Sequence, residues 1–366
     1  MNKKLHTIMF SACLIGTILS FGALSGCAKD TKPIKDTNSV KEQPKVKGGL
    51  QEVSMKDEEY GQNMYTPAFP LIYEDLKKEI VKKDKVELVG FNSYMFNVLN
   101  RMDPPENRLS EKYYYKIIAK KTPAYKRKIE NDIWKKFKEK SSILDSIQWK
   151  PKNEDDIVLY SMVKKNVEFL KHFEILDSMP FNGSAEKVKY FGVKKNAKTY
   201  KNNVKPLFYE ADKDGETYAI SLKTKTEDEI ILYVGDLDEP VDIVWDELTV
   251  KADDTKADAF RNNDKLTVPF IEIKELIKYV DLSGKLIKGT DYRINSAIES
   301  VEFSLDNKGA KLKNEAAMML EKMALMPDNS RYFSFDRPFA LFMIEKGKKE
   351  PYFMLKVSDT KYLVKE

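Results

Sequence analysis

The chain has 366 residues, 42% of them hydrophobic and 33% charged, which is enough apolar content and length for a sizeable core in one or two domains. The formal charge of +5 includes Lys3 and Lys4 of the N-terminal leader, and what remains is too balanced to imply a nucleic acid partner. Two cysteines, Cys13 and Cys27, both lie near the N-terminus, and His172 is the one histidine beyond His6, so the folded part is left without disulfides, thiolate metal sites, Cys nucleophiles or two-His metal motifs.

The first element is a leader: Lys3 and Lys4, an apolar stretch over residues 7–23, then Leu24-Ser25-Gly26-Cys27. The small residues before a cysteine resemble the lipobox of bacterial lipoproteins, which implies that residues 1–26 are removed and Cys27 is acylated. The apolar stretch is shorter than the roughly 20 residues a spanning helix needs. Residues 28–49 hold Lys, Asp, Thr, Pro, Ser and Gln with no aromatic residue, a composition that buries too little to fold. We therefore expect residues 27–57 to be a lipidated tether and residues 58–366 the folded domain, held at the outer face of a cell membrane. The mean reach of the tether is roughly 25 Å.

Leu88, Phe91, Met95, Val98 and Leu99 recur at helical spacing and predict a helix over 87–100. A further helix is expected over about 107–118, and another over 129–137. Residues 116–140 are basic, from Lys116 through Lys126, Arg127, Lys128 and Lys135 to Lys140, with Tyr113, Tyr114, Tyr115 and Tyr125 near them. They form either a solvated helix face or a site for an anionic polymer or glycan. The continuous apolar run of residues 157–163 predicts a central strand covered on both faces, continuing through Phe169 and Phe173. His172 sits in that strand-like stretch with no Gly-x-Ser-x-Gly elbow anywhere, so it reads as a surface or packing residue. No paired carboxylates, Gly-rich phosphate loop or metal-ligand spacing stands out; no catalytic residue, metal or cofactor is assigned.

The last seventy residues are the most informative. Val301, Phe303 and Leu305 alternate with polar residues as a half-buried strand, and Asp306-Asn307-Lys308-Gly309 makes a turn. Glu315-Ala316-Ala317 and an apolar cluster from Met318 to Met326 follow. Then come Phe335-Asp336-Arg337-Pro338-Phe339, a strand over 339–345, a polar turn over 346–351 and a final strand over 352–357. This order is similar to the C-terminal end of a serpin, with its hinge, exposed reactive-centre loop and Pro-Phe-led closing hairpin. Residues 266–274, with Pro269-Phe270, and the run at 157–163, with Phe169 where the family has Trp, fit the same frame.

The resemblance implies an α+β fold: mixed β-sheets, N-terminal helices and an exposed reactive-centre loop near the C-terminus. It implies a hinge at Gly309, Glu315, Ala316 and Ala317, and a bait at Lys322, Met323, Ala324, Leu325 and Met326. Counting from Gly309 puts the scissile bond at Met323-Ala324, whereas counting back from Pro338-Phe339 puts it near Pro327-Asp328. The implied partner is a serine or cysteine protease that attacks the loop as a suicide substrate. The abbreviated N-terminal half and the bulk of Met318, Met319 and Leu320 favour the alternative, a non-inhibitory surface lipoprotein that uses the scaffold for binding.

Overall fold

A computed structural model describes residues 49–211, 216–255, 258–311 and 331–366. From the N-terminus these form β1 (Gln51–Met55), β2 (Met64–Tyr65), α1 (Ala68–Asp75), α2 (Tyr94–Arg101), β3 (Tyr114–Lys120), α3 (Pro123–Phe137), β4 (Ile157–Val163) and β5 (Asn166–Glu168). The middle of the chain supplies β6 (Glu174–Pro180), β7 (Lys187–Val193), β8 (Val204–Ala211), β9 (Glu216–Lys223), β10 (Glu229–Val234) and α4 (Val241–Asp254). The last part holds β11 (Lys265–Pro269), β12 (Ile271–Tyr279), β13 (Ile298–Asp306), β14 (Gly309–Lys311), β15 (Tyr332–Ser334), β16 (Phe339–Ile344) and β17 (Phe353–Val357).

Three larger sheets share one core. A six-stranded sheet runs β2-β17-β16-β10-β9-β8, a four-stranded sheet β15-β11-β7-β6, and a five-stranded sheet β1-β12-β13-β14-β5. The closing hairpin β16-β17 lies inside the six-stranded sheet and is buried on both faces, which is why FALFMI and FMLKV carry no polar alternation. Phe339, Leu341 and Met343 face the main core, while Ala340 and Phe342 face α4, where the Trp245 ring lies 5.1 Å from that of Phe342. In β13, Glu299, Val301, Phe303 and Leu305 alternate into the core, with Ser304 also buried where β14 pairs beside it.

Several expectations hold in type and shift in extent. The helix over 129–137 starts earlier, at Pro123, because the Thr122 hydroxyl accepts from the Tyr125 amide and Pro123 suits the first helical position. The closing hairpin and the turn before Gly309 fall where the sequence places them.

Other expectations are corrected. The helix predicted over 87–100 begins only at Tyr94, since the Ser93 hydroxyl caps the Phe96 amide and Gly90 adopts a left-handed turn upstream. Residues 107–118 are not a helix. Short single turns at Pro105–Asn107 and Glu111–Tyr113 lead into β3, where Tyr114, Tyr115, Ile117 and Ile118 form strand as aromatic and β-branched residues prefer. Lys116 therefore sits on a strand, apart from the helical part of the basic segment. The apolar run at 157–163 pairs with β3 in a two-stranded sheet instead of continuing into Phe173, because Lys164 and Lys165 interrupt it. Residues 266–274 divide between β11 and β12 of different sheets. Finally, the expected tether ends before residue 57: Gln51–Met55 is a strand, laid parallel on β12.

Candidate functional site

The two strands that flank residues 312–330 in sequence define the site. β13 pairs along its whole length with β12, but on its other side only Ser304, Leu305 and Asp306 have a partner, in β14. β14 in turn pairs with β5, so it is a short strand wedged between the end of β13 and β5. Beyond that wedge, residues 298–303 of β13 and residues 157–163 of β4 face a shared cleft of about 930 Å³. Each keeps a strand partner on its far side alone among the described residues, β12 and β3 respectively. The cleft is thus a split in a sheet, closed at one end by β14.

Gly309 is the residue that lets the wedge form. Its φ of +152° lies in a region that favours glycine, and a Cβ there would stand 2.1 Å from the Val167 carbonyl oxygen of β5. The preceding turn is held from both sides. The Asp306 carboxylate accepts from the amides of Lys308 at 2.7 Å and Gly309 at 3.2 Å. The amides of Phe169 and Phe173 donate to the carbonyls of Lys308 and Asn307, each at 2.8 Å. Phe169 is fully buried, with its ring 4.9 Å from Phe173. His172, which the sequence places in a strand, lies in a surface loop, and its Nε2 is 3.0 Å from the Glu168 carboxylate.

Where β4 hands over to β5, Lys165 is 4% exposed and its ammonium reaches Asp228 at 2.8 Å and Glu345 at 3.5 Å. The Asp228 contact is a close ion pair without hydrogen-bond alignment. Tyr113 and Tyr352 present their ring faces to the same ammonium, at 3.8 and 5.1 Å. The Ser110 amide donates to Glu345 at 2.7 Å. This buried charge cluster pins the break between the two strands.

The floor of the cleft contains Glu299, on the core face of β13. Its carboxyl accepts from the Thr66 hydroxyl at 2.6 Å and the Tyr279 hydroxyl at 2.9 Å. Burial pushes its pKa above the ordinary glutamate value against those two hydrogen bonds. Across the cleft, the Ser161 hydroxyl of β4 donates to the Ala68 carbonyl of α1 at 2.6 Å. The Ser142 hydroxyl, from the loop after α3, donates to the outward-facing Glu302 of β13.

Of the residues predicted from sequence, Gly309 lies at the closed end of the cleft. Glu315, Ala316, Ala317, Lys322, Met323, Ala324, Leu325, Met326 and Cys27 lie outside the described residues. The chain re-enters the described residues at Arg331, whose guanidinium pairs with buried Asp264 at 2.6 Å, and continues into β15. Sequence reasoning missed Lys165, Glu299 and Asp228. A lysine pair interrupting an apolar run and a glutamate on the core side of an alternating strand are signals that could have found the first two.

No protein-family model matches the chain, and no curated protein sequence does. Solved structures similar to it are serpins. One is Serpin48 of the insect Tenebrio molitor, with a TM-score of 0.41 and 13% identity over 82% of this chain and 98% of that one. Human glycosylated kallistatin gives 0.42 and 14% over 65% and 64%, and thyroxine-binding globulin in complex with thyroxine gives 0.40 and 14% over 64% of each. The chain thus spans slightly under two thirds of the last two proteins. The described residues themselves form an α+β fold of mixed sheets with a few helices.

Proposed function

We propose that the chain is a membrane-anchored, extracytoplasmic inhibitor of serine or cysteine proteases that offers residues 322–326 as bait and traps its target by inserting the preceding segment into the cleft. The supporting observation is the register of β14. Leu305 pairs with Ala310 and Ser304 with Lys311, so the ladder extended by the same rule sets Leu312 beside Phe303, Asn314 beside Val301 and Ala316 beside Glu299. Ala310 is buried, so on insertion residues at even numbers would take the core side: Leu312, Asn314, Ala316, Met318 and Leu320. Lys313, Glu315, Ala317 and Met319 would take the other. A strand written in that alternation suits a sheet with one buried face.

The same register addresses the bulk at Met318 and Leu320, which fall on the apolar side. Continued on insertion along β5 and β4, it would reach Ile157 opposite Leu320 and leave Lys322 past the end of the cleft. An attacking protease forms an acyl-enzyme through its own nucleophile, and insertion before hydrolysis carries it away from the loop.

The test has two parts. Incubation with apolar-specific and trypsin-like proteases is expected to give a complex that survives a denaturing gel. Nicking between Glu321 and Asp328 is expected to raise the melting temperature steeply, because the inserted strand gains hydrogen bonds and buried area. Ala316→Asp should abolish both, since it sets a carboxylate beside buried Glu299. Unchanged thermal stability after nicking, with no covalent complex, would leave the second reading: a surface lipoprotein that binds without inhibiting. The edges of β4 and β13 that have no partner among the described residues, and the cleft between them, supply what such a binder would use.

A further inference from the structure

α3 buries Ile129, Ile133 and Phe137 against Tyr160, Leu144 and Trp149, which leaves its opposite face in solvent. At positions 127, 131, 134 and 138, spaced for one helical face, stand Arg127, Asn131, Trp134 and Lys138, with Lys135 beside them. Trp134 is 51% exposed, an unusual place for a tryptophan. The acidic residues nearby are engaged elsewhere: Glu130 with Lys126, Asp132 with Lys128, and Glu139 with Lys164. Arg127, Lys135 and Lys138 make no ion pair among the described residues. A net cationic face with an indole at its centre matches the boundary of an anionic lipid layer, where tryptophan settles at headgroup depth and Lys and Arg meet the phosphates.

The exit of the tether points the same way. β1 runs parallel to β12 with Gln51 opposite Glu275, which sets residue 50 alongside Lys274. Lys274 pairs across β12-β13 with Glu302, and Glu302 is bound by Ser142, four residues beyond Lys138. The tether therefore leaves about two strand spacings, roughly 10 Å, from the loop that ends α3. Residues 28–48 reach roughly 25 Å, so a lipid at Cys27 and the α3 face can meet one surface.

We infer that the exposed face of α3, through Trp134, Arg127, Lys135 and Lys138, docks on an anionic phospholipid surface and orients the domain there. The inference extends the anchored reading above, but its test omits the anchor. The mature chain, residues 27–366 carrying Cys27→Ser and so lacking both leader and lipid, is mixed with vesicles of phosphatidylglycerol and phosphatidylcholine, or of phosphatidylcholine alone. Trp149 and Trp245 are buried, so a blue shift in emission reports Trp134. Expected are binding and a blue shift with the anionic vesicles only, weakened by salt. The triple variant Arg127→Glu/Lys135→Glu/Lys138→Glu should lose at least about a hundredfold in partition. Trp134→Ser should lose the shift, with melting temperatures of both variants unchanged. Absence of binding to the anionic vesicles at low salt would overturn the proposal. So would binding with no shift that a soluble polyanion such as dextran sulfate matches, which would make the face a polymer site.

Discussion

Glu299 and Gly309 show how much of the cleft depends on single side chains. A buried carboxyl with a raised pKa keeps its proton in the folded chain at pH values where the unfolded chain has released it. Its contribution to stability is therefore complete at low pH and is lost as pH rises through the raised value. Glu299→Gln keeps the neutral form, with the amide able to donate to the Tyr279 oxygen. Urea unfolding at roughly pH 5 and pH 8 should show the variant gaining on the wild type at the higher pH. Gly309→Ala should cost at least about 2 kcal/mol in the same assay, because the new methyl meets strand backbone, which cannot swing aside. The two residues were not equally legible in the sequence. Gly309 follows an Asp-Asn-Lys turn signal, whereas nothing in the sequence tells a core-facing glutamate that it will meet Thr66 and Tyr279, both distant along the chain.

The elements that sequence reasoning read well are those whose pattern is set locally: the alternating apolar residues of β13, the C-terminal part of α3 over 129–137, and the doubly buried closing hairpin. It failed where neighbours decide. Tyr114 to Lys120 become a strand because β4 lies alongside, and the apolar run at 157–163 leaves the large sheet because Lys165 is drawn to Asp228 and Glu345. α4 was overlooked although Val241, Val244, Trp245 and Leu248 follow helical spacing. The break between β4 and β5 can be tested directly. Lys165→Met leaves Asp228 and Glu345 buried without their cation and should destabilise the chain by about 3–5 kcal/mol. Asp228→Asn combined with Glu345→Gln should recover part of that loss when added to it, measured as a double-mutant cycle by urea unfolding.

At the scale of the whole molecule, one apolar core joins all three larger sheets, from Phe303 and Phe353, whose rings lie 4.5 Å apart, to Phe333 and Phe335 after residues 312–330. A chain organised this way should unfold in one cooperative step, and no cysteine lies beyond Cys27. Its melting temperature should therefore be indifferent to reducing agent, which differential scanning calorimetry with and without dithiothreitol would check. β1 adds a mechanical consequence. The five residue pairs from Gln51 and Glu275 to Met55 and Tyr279 are the first part of the fold to feel any pull on residues 27–48. A pull directed back along the strand axis loads those pairs together, as shear. A pull away from the sheet face would instead peel them in turn from Gln51, so the angle at which the chain is held decides whether the edge strand resists force or yields to it.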